Sequence, residues 1–186
     1  MMMTTSEGIA VTVRRIRSDV ASTRGELELG KGPRLELIAY GSLRPGGKNH
    51  DRFCTGLIRS APATIFGRLA WFTPEIPIAA VPAASILALG SQAYLHDVAS
   101  GQEIPPERIA WAIRAVEKSR QHWPLVEGDL LSFDDPATRL AALDRLEGFA
   151  PSGESLYLRV LVPIVDLPGR SAWVYVSPDS IARRRP

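Results

Sequence analysis

Residues 35–40, Leu-Glu-Leu-Ile-Ala-Tyr, form a short, nearly continuous apolar run that Gly41-Ser42 cuts off. Such a run reads as a buried strand entering a turn, so the body of the chain has to be built around a sheet. Ala63–Phe72 reads as a second strand, followed by a proline-rich loop with Pro74, Pro77 and Pro82. Leu125–Phe133 reads as a third. Leu156–Val165 and Ala172–Val176 read as an antiparallel pair joined by a turn at Asp166-Leu167-Pro168-Gly169. Pro163 has no N–H to give to a ladder, which places its strand at an edge or a bulge. Two helices are legible between the strands. Pro106–Gln121 carries Ile109, Ile113 and Val116 at helical spacing after a Pro-Pro start. Asp135–Gly148 has a capping Asp, Pro136 at the first helical position, Leu140, Leu143 and Leu146 on one side, and a terminal Gly suited to a left-handed cap. Glu147 then sits at the helix exit.

Composition narrows the function classes. The chain has 186 residues, 45% hydrophobic and 23% charged, a soluble globular balance that suits one buried core rather than two domains. No apolar run approaches the roughly 18 residues of a membrane-spanning helix, and no membrane association is expected. Ile9–Val13 is too short for a signal-peptide core and is followed by Arg14, Arg15 and Arg17; a cytoplasmic protein is expected. The one cysteine, Cys54, excludes an internal disulfide and a cysteine-built zinc site. His50, His96 and His122 have no metal-ligand spacing, so no metal and no cofactor are expected. The formal net charge of +2 sits at the chain ends. Six cations face four acids in residues 1–34 and three face one in residues 178–186, which leaves the body 35–177 net negative. That argues against a basic groove and a nucleic-acid partner. The Arg183–Arg185 tail is a weak alternative that would show salt-sensitive affinity. The ends read as a mobile leader over 1–33, with one possible strand at Ile9–Ile16, and a basic tail over 178–186.

The string Tyr40-Gly41-Ser42-Leu43-Arg44-Pro45-Gly46-Gly47-Lys48-Asn49-His50 is the most unusual in the body. A glycine-rich turn after a buried strand exposes backbone N–H groups that hold an anion or a carboxylate; the plain alternative is a turn and nothing more. It is not a phosphate loop. Counting back from Lys48 puts Ser42 where the first Gly belongs and Asn49 where the magnesium-binding hydroxyl belongs. Ser42 lacks the G-x-S-x-G context of a nucleophile elbow, and Ser42, His50 and Asp51 are too close in sequence to imply a triad. The second string is Leu143-Asp144-Arg145-Leu146-Glu147-Gly148, with Tyr157-Leu158-Arg159 after it. Taken alone, such a Glu is a solvated surface residue.

Taken in order, these strings resemble the gamma-glutamylcyclotransferase-like family. The resemblance rests on the Tyr-Gly-Ser-Leu-Arg-Pro-Gly strand-turn, Asn49-His50, Leu-Asp-x-x-Glu-Gly, and Tyr-x-Arg on a strand. Gly128 in Val126-Glu127-Gly128-Asp129-Leu130 and the aromatic pair in Trp173-Val174-Tyr175-Val176 add to it. It covers residues 36–72 and 124–177. It implies an α+β fold, a small mixed β-barrel with flanking helices, spanning 34–177 with a helical insertion at about 83–123. It implies a cyclotransferase that converts a γ-glutamyl peptide or amine to 5-oxoproline and a free amine. Glu147 matches the catalytic acid/base. Tyr40, Gly41, Ser42 and Leu43 match the loop that holds the glutamyl portion, largely through backbone groups. Tyr157 and Tyr175 match residues lining the same cavity, and Arg159 is assigned to fold support, with a salt bridge to an acidic partner as the alternative. The small γ-glutamyl substrate is the expected partner; the leaving amine and the oligomeric state stay open. Trp111, His122 and Trp123 in the insertion read as core, with a lid as the alternative. A domain that keeps the cavity as a non-catalytic binding module is the rival to the enzyme.

Overall fold

The structure, a computed structural model, describes residues 32–74, 76–119, 121–151 and 155–182. Most of the expected leader, its Ile9–Ile16 strand and the Arg183–Arg185 tail lie outside these. In chain order the elements are β1 (Leu35–Ala39), the single turn α1 (His50–Phe53), β2 (Arg59–Phe66), β3 (Arg68–Thr73) and β4 (Ile76–Ala80). They continue with β5 (Ala88–Leu89), α2 (Tyr94–Gln102), α3 (Pro106–Glu117), β6 (Leu125–Phe133) and α4 (Pro136–Glu147). The last are β7 (Leu158–Pro163), β8 (Ser171–Val176) and the turn α5 (Asp179–Ala182).

Six strands form one mixed sheet in the order β2-β6-β1-β8-β7-β5, and β3 and β4 form a separate two-stranded hairpin. β1 is antiparallel to β6 and parallel to β8. Its side chains alternate between two cores, which is why the run shows little polar interruption. Leu35, Leu37 and Ala39 pack with Phe133, Leu140, Leu143 and Trp173 on the helical side. Ile38 packs with Ile65, Leu130, Val162 and Val174 on the other. The fold is thus α+β, but among the described residues the sheet does not close into a barrel. β2 and the segment after β7 approach without a ladder: Val165 N–H donates to the Thr64 carbonyl at 2.9 Å, and Thr64 N–H to the Asp166 carboxylate at 3.0 Å.

Several boundaries differ from the sequence reading. The expected strand Ala63–Phe72 is two strands in two sheets, parted at Gly67, whose added Cβ would sit 3.0 Å from both the Ala80 carbonyl oxygen and Val126 Cγ2. The expected proline-rich loop contains β4, and Pro77 lies in it, in a strand paired to β3. α3 stops at Glu117, one turn short of Gln121, and α2 was not anticipated. Pro136 and Gly148 occupy their expected places, Gly148 with φ 62. Asp135 stands at the N-cap but makes no capping bond; its carboxylate pairs instead with Arg139 at 2.9 Å. Trp111 is 61% exposed, so it is not core. Trp123 stacks on Arg68 at 4.9 Å and the His122 carbonyl accepts from Arg68.

Gly128 shows how tightly β6 and β1 are matched. A Cβ there would lie 2.6 Å from the Ala39 carbonyl oxygen, in the middle of the sheet. Gly128→Ala is expected to destabilise the protein by about 1–3 kcal/mol through overpacking, read as a lower midpoint in urea unfolding with an unchanged slope.

Candidate functional site

A cleft of about 410 Å³ opens where the end of β1, the following turn, the β3–β4 hairpin and the exit of α4 meet. That size is within the range of about 300–1,000 Å³ typical of small-molecule sites. The residues nominated by the resemblance, Tyr40, Gly41, Ser42, Leu43, Glu147, Tyr157 and Tyr175, all line it.

The turn is held by its own backbone. Arg44 N–H donates to the Gly41 carbonyl at 3.1 Å, Gly47 N–H to Arg44 at 2.7 Å, and Asn49 N–H to Ser42 at 3.0 Å. Gly47 is required here, because a Cβ would stand 2.4 Å from the Ser42 carbonyl oxygen. Asn49 Nδ2 donates to Ser42 Oγ at 2.8 Å, and a His50 ring nitrogen lies 2.8 Å from the Leu43 carbonyl. Ser42 and His50 therefore answer to different partners, which leaves no triad. Among the described residues, the N–H groups of Gly41, Ser42 and Leu43 find no acceptor within the chain. They remain open to water or to a ligand.

Glu147 comes to the cleft because Gly148 ends α4 in the left-handed conformation. Burial pushes its carboxyl from the ordinary 4.5 up to about 7. Among the described residues no cation or hydrogen-bond donor meets it to offset the lost hydration. The three tyrosines are not equivalent. Tyr40 donates to the Tyr175 carbonyl at 2.7 Å and accepts from Ala79 N–H at 3.3 Å, so its hydroxyl pins the hairpin to the sheet. Burial raises its pKa. Tyr175 donates to Asp144 Oδ1 at 2.6 Å; burial first, and the Asp144 charge second, hold its pKa well up. Tyr157 is the freest, with one long contact of 3.5 Å to the Pro77 carbonyl, and burial followed by the Glu147 charge raises its pKa.

Behind the cleft lies a charge cluster. Arg159 is 0% exposed. Its Nη1 donates to both Asp144 oxygens at 3.0 and 2.9 Å, and its Nη2 to Asp97 Oδ2 and the Ser91 carbonyl, each at 2.6 Å. The rings of Tyr94, Phe149 and Trp173 surround the guanidinium at 5.1–5.5 Å. Burial pushes the Asp144 carboxyl up, against the opposing pull of Tyr175 and Arg159. Arg159 thus joins fold support to ion pairs with two acidic partners. Asp97, from the insertion, was missed; nothing in the sequence ties an isolated Asp on α2 to an arginine sixty residues on. Also missed were the cleft residues Phe72, Ile76, Ile78 and Leu156. Their signal was available in principle, as apolar side chains flanking prolines and glycines. No described residue of the insertion lines the cleft, so Trp111, His122 and Trp123 form no lid over it.

Among the described residues no group of three or more His, Cys, Asp or Glu side chains is arranged to hold a metal ion, and no helix is long and apolar enough to cross a membrane. Compared with models of known protein families, with curated proteins and with solved structures, the chain matches none.

Two outcomes follow from these environments. Arg159→Leu leaves Asp144 and Asp97 buried without their cation and is expected to cost about 3–5 kcal/mol in urea unfolding. Glu147 titrates at about 7 folded against 4.5 unfolded, so the native state binds its proton more tightly. Its contribution is fully present below pH 4.5 and is lost as pH rises through 7. Glu147→Gln should therefore leave stability nearly unchanged at pH 4 and raise it by about 3 kcal/mol at pH 8. Thermal melts of the two proteins across that range test this, and a constant difference at all pH values would contradict it.

Proposed function

We propose that the protein is a γ-glutamyl cyclotransferase with Glu147 as its acid/base, in a small mixed fold of the gamma-glutamylcyclotransferase-like kind. The observation that carries this reading is the meeting of two things in one cleft: a carboxyl whose burial sets it near pH 7 and three backbone N–H groups without acceptors.

In a γ-glutamyl amide, the nucleophile and the electrophile belong to one molecule. The α-amine need only be folded onto the γ-carbonyl, and holding it there removes several kcal/mol of barrier, on the order of what effective molarities allow. The Glu147 carboxylate takes a proton from the α-ammonium. The freed amine attacks the γ-carbonyl carbon and a five-membered ring closes, with negative charge on the former carbonyl oxygen. Glu147 returns its proton to the departing nitrogen as the amide C–N bond breaks, and the second proton of the ring nitrogen passes to the departing amine, which leaves as its ammonium ion. The products are 5-oxoproline and the free amine, and Glu147 ends as it began. A pKa near 7 suits both halves of that exchange. The N–H groups of Gly41, Ser42 and Leu43 serve the anionic oxygens of the substrate, its α-carboxylate and the developing oxyanion. Tyr157, beside Glu147, supplies the wall that keeps the ring-closing end dry.

Incubation with a panel of γ-glutamyl peptides and amides, read as 5-oxoproline formed, tests the reading. Glu147→Gln is expected to lower kcat/KM by about 10²–10⁴, and the wild-type rate should rise with pH through an inflection near 7. Activity that survives the substitution removes Glu147 from the mechanism. Saturable binding of panel members with no product from any of them points instead to a non-catalytic binding module.

A further inference from the structure

We infer a second binding site, for a small organic carboxylate, in the cavity where the starts of β1 and β8 meet the end of α2 and the start of α3. The cavity measures about 240 Å³ and shares no lining residue with the cleft of Glu147. It is built by residues 34–36, 98–109 and 161–173. Its inner wall is apolar: Val98, Ile109 and Leu161, all buried, line it beside Trp173. Its rim is cationic. β1 and β8 run parallel with Leu37 level with Trp173, and Arg34 and Arg170 each stand three residues before that pair. Both line the cavity. Neighbouring strands lie about 4.8 Å apart, so the entries of β1 and β8 bring two guanidiniums to one mouth.

Two features point to a ligand rather than to a solvated rim. Trp173 is 3% exposed, yet its indole N–H meets no acceptor among the described residues. A buried donor costs free energy unless something accepts from it. Gly101 keeps that donor uncovered: a Cβ there would lie 3.4 Å from Trp173 Nε1 and 3.5 Å from Leu161 Cδ1, ordinary packing distances. Gly101 sits in α2 without a positive φ, where alanine is the better helix former. The backbone therefore does not demand a glycine, and what the glycine leaves is space beside the indole. Charge decides what fills it. Glu36 is the acid in the lining among the described residues, and Arg170 at 3.2 Å and the Ser132 hydroxyl at 3.0 Å already engage its Oε2. Two cations against one acid leave the mouth net positive. A carboxylate offers paired oxygens to a guanidinium and accepts from an indole N–H. A small hydrocarbon body attached to it covers the apolar wall. Inorganic phosphate has no body to bury there, and an alcohol brings no charge.

Phenylacetate is the probe, compared with 2-phenylethanol as its neutral counterpart, phenethylammonium as its cationic one, acetate as the head group alone and inorganic phosphate as a bare anion. Titrations of the full chain are read by calorimetry and by the assigned indole N–H resonances of its four tryptophans. Phenylacetate should bind saturably, about 10-fold or more tighter than each of the others, and should move the Trp173 resonance. Arg34→Gln should weaken it by about 10-fold. Gly101→Ala should abolish binding while the thermal midpoint stays level or rises, which separates a filled cavity from a damaged fold. Absence of saturable binding, a Trp173 resonance that does not move, or affinity undiminished in both variants overturns the inference. So does equal affinity for 2-phenylethanol, which marks an apolar pocket only, or for phosphate, which marks a plain anion site. None of these outcomes bears on Glu147, so the site and the cyclotransferase reading stand or fall separately.

Discussion

A guanidinium with no access to water organises this molecule. Removing Arg159 from solvent carries a desolvation cost of several kcal/mol, and the surroundings are arranged to offset it. Two carboxylates, a backbone carbonyl and three aromatic rings converge on one planar group whose donor directions are fixed. Each partner comes from a different part of the chain: Asp144 from α4, Asp97 from α2, Ser91 from the segment before it, with the arginine itself on β7. Gly90 makes the room, since a Cβ there would lie 2.5 Å from Arg159 Nε. Among the described residues that nitrogen is buried without a hydrogen-bond partner. Tyr175 extends the cluster to β8 through Asp144. Helix, sheet and insertion are therefore registered to one another by a single side chain.

The same helix carries the opposite solution one turn later. Asp144 and Glu147 are three residues apart on α4, and both carboxyls lose water. Asp144 receives a cation and a phenol in exchange. Glu147 receives neither, so its charge is expensive and its proton is held into the neutral range. The first arrangement fixes where the last turn of α4 lies; the second leaves a group there that can change its protonation at ordinary pH. Stability and reactivity are thus adjacent on one helix, divided by whether a partner is present.

The sequence revealed the strands of the main sheet well, because β1, β6, β7 and β8 are buried on one or both faces and their apolar runs are unambiguous. α4 was equally legible, since Pro136 and Gly148 mark its ends. The reading failed where side-chain pattern and local geometry part company. β2 and β3 are continuous in apolar character, and only the crowding at Gly67 separates them. β4 hides behind its prolines. α3 was drawn a turn too long, and Trp111 was placed in the core on the strength of being aromatic. Of the site, the turn and Glu147 were found from ordered short strings, whereas the hairpin wall was not, because side chains that face a cleft follow no period. The barrel expected from the resemblance is an open sheet among the described residues, with β2 linked to the segment after β7 through Thr64 rather than by a ladder.

The hairpin of β3 and β4 is tied to the rest by single hydrogen bonds rather than by a ladder, among them Tyr40 with Ala79, the Ser177 N–H with the Ala79 carbonyl, Arg68 with the His122 carbonyl and Tyr157 with the Pro77 carbonyl. It belongs to neither edge of the main sheet. Its length and side chains are therefore free of the register that binds the other strands, and substitutions in it need not be matched by compensating changes in β1 or β6. The turn, by contrast, is held by its own backbone hydrogen bonds, and α4 by the buried pair of Asp144 and Arg159. One wall of the cleft is a replaceable part and the other a fixed one, so diversification of what the cleft accepts has a path that leaves its reacting groups alone.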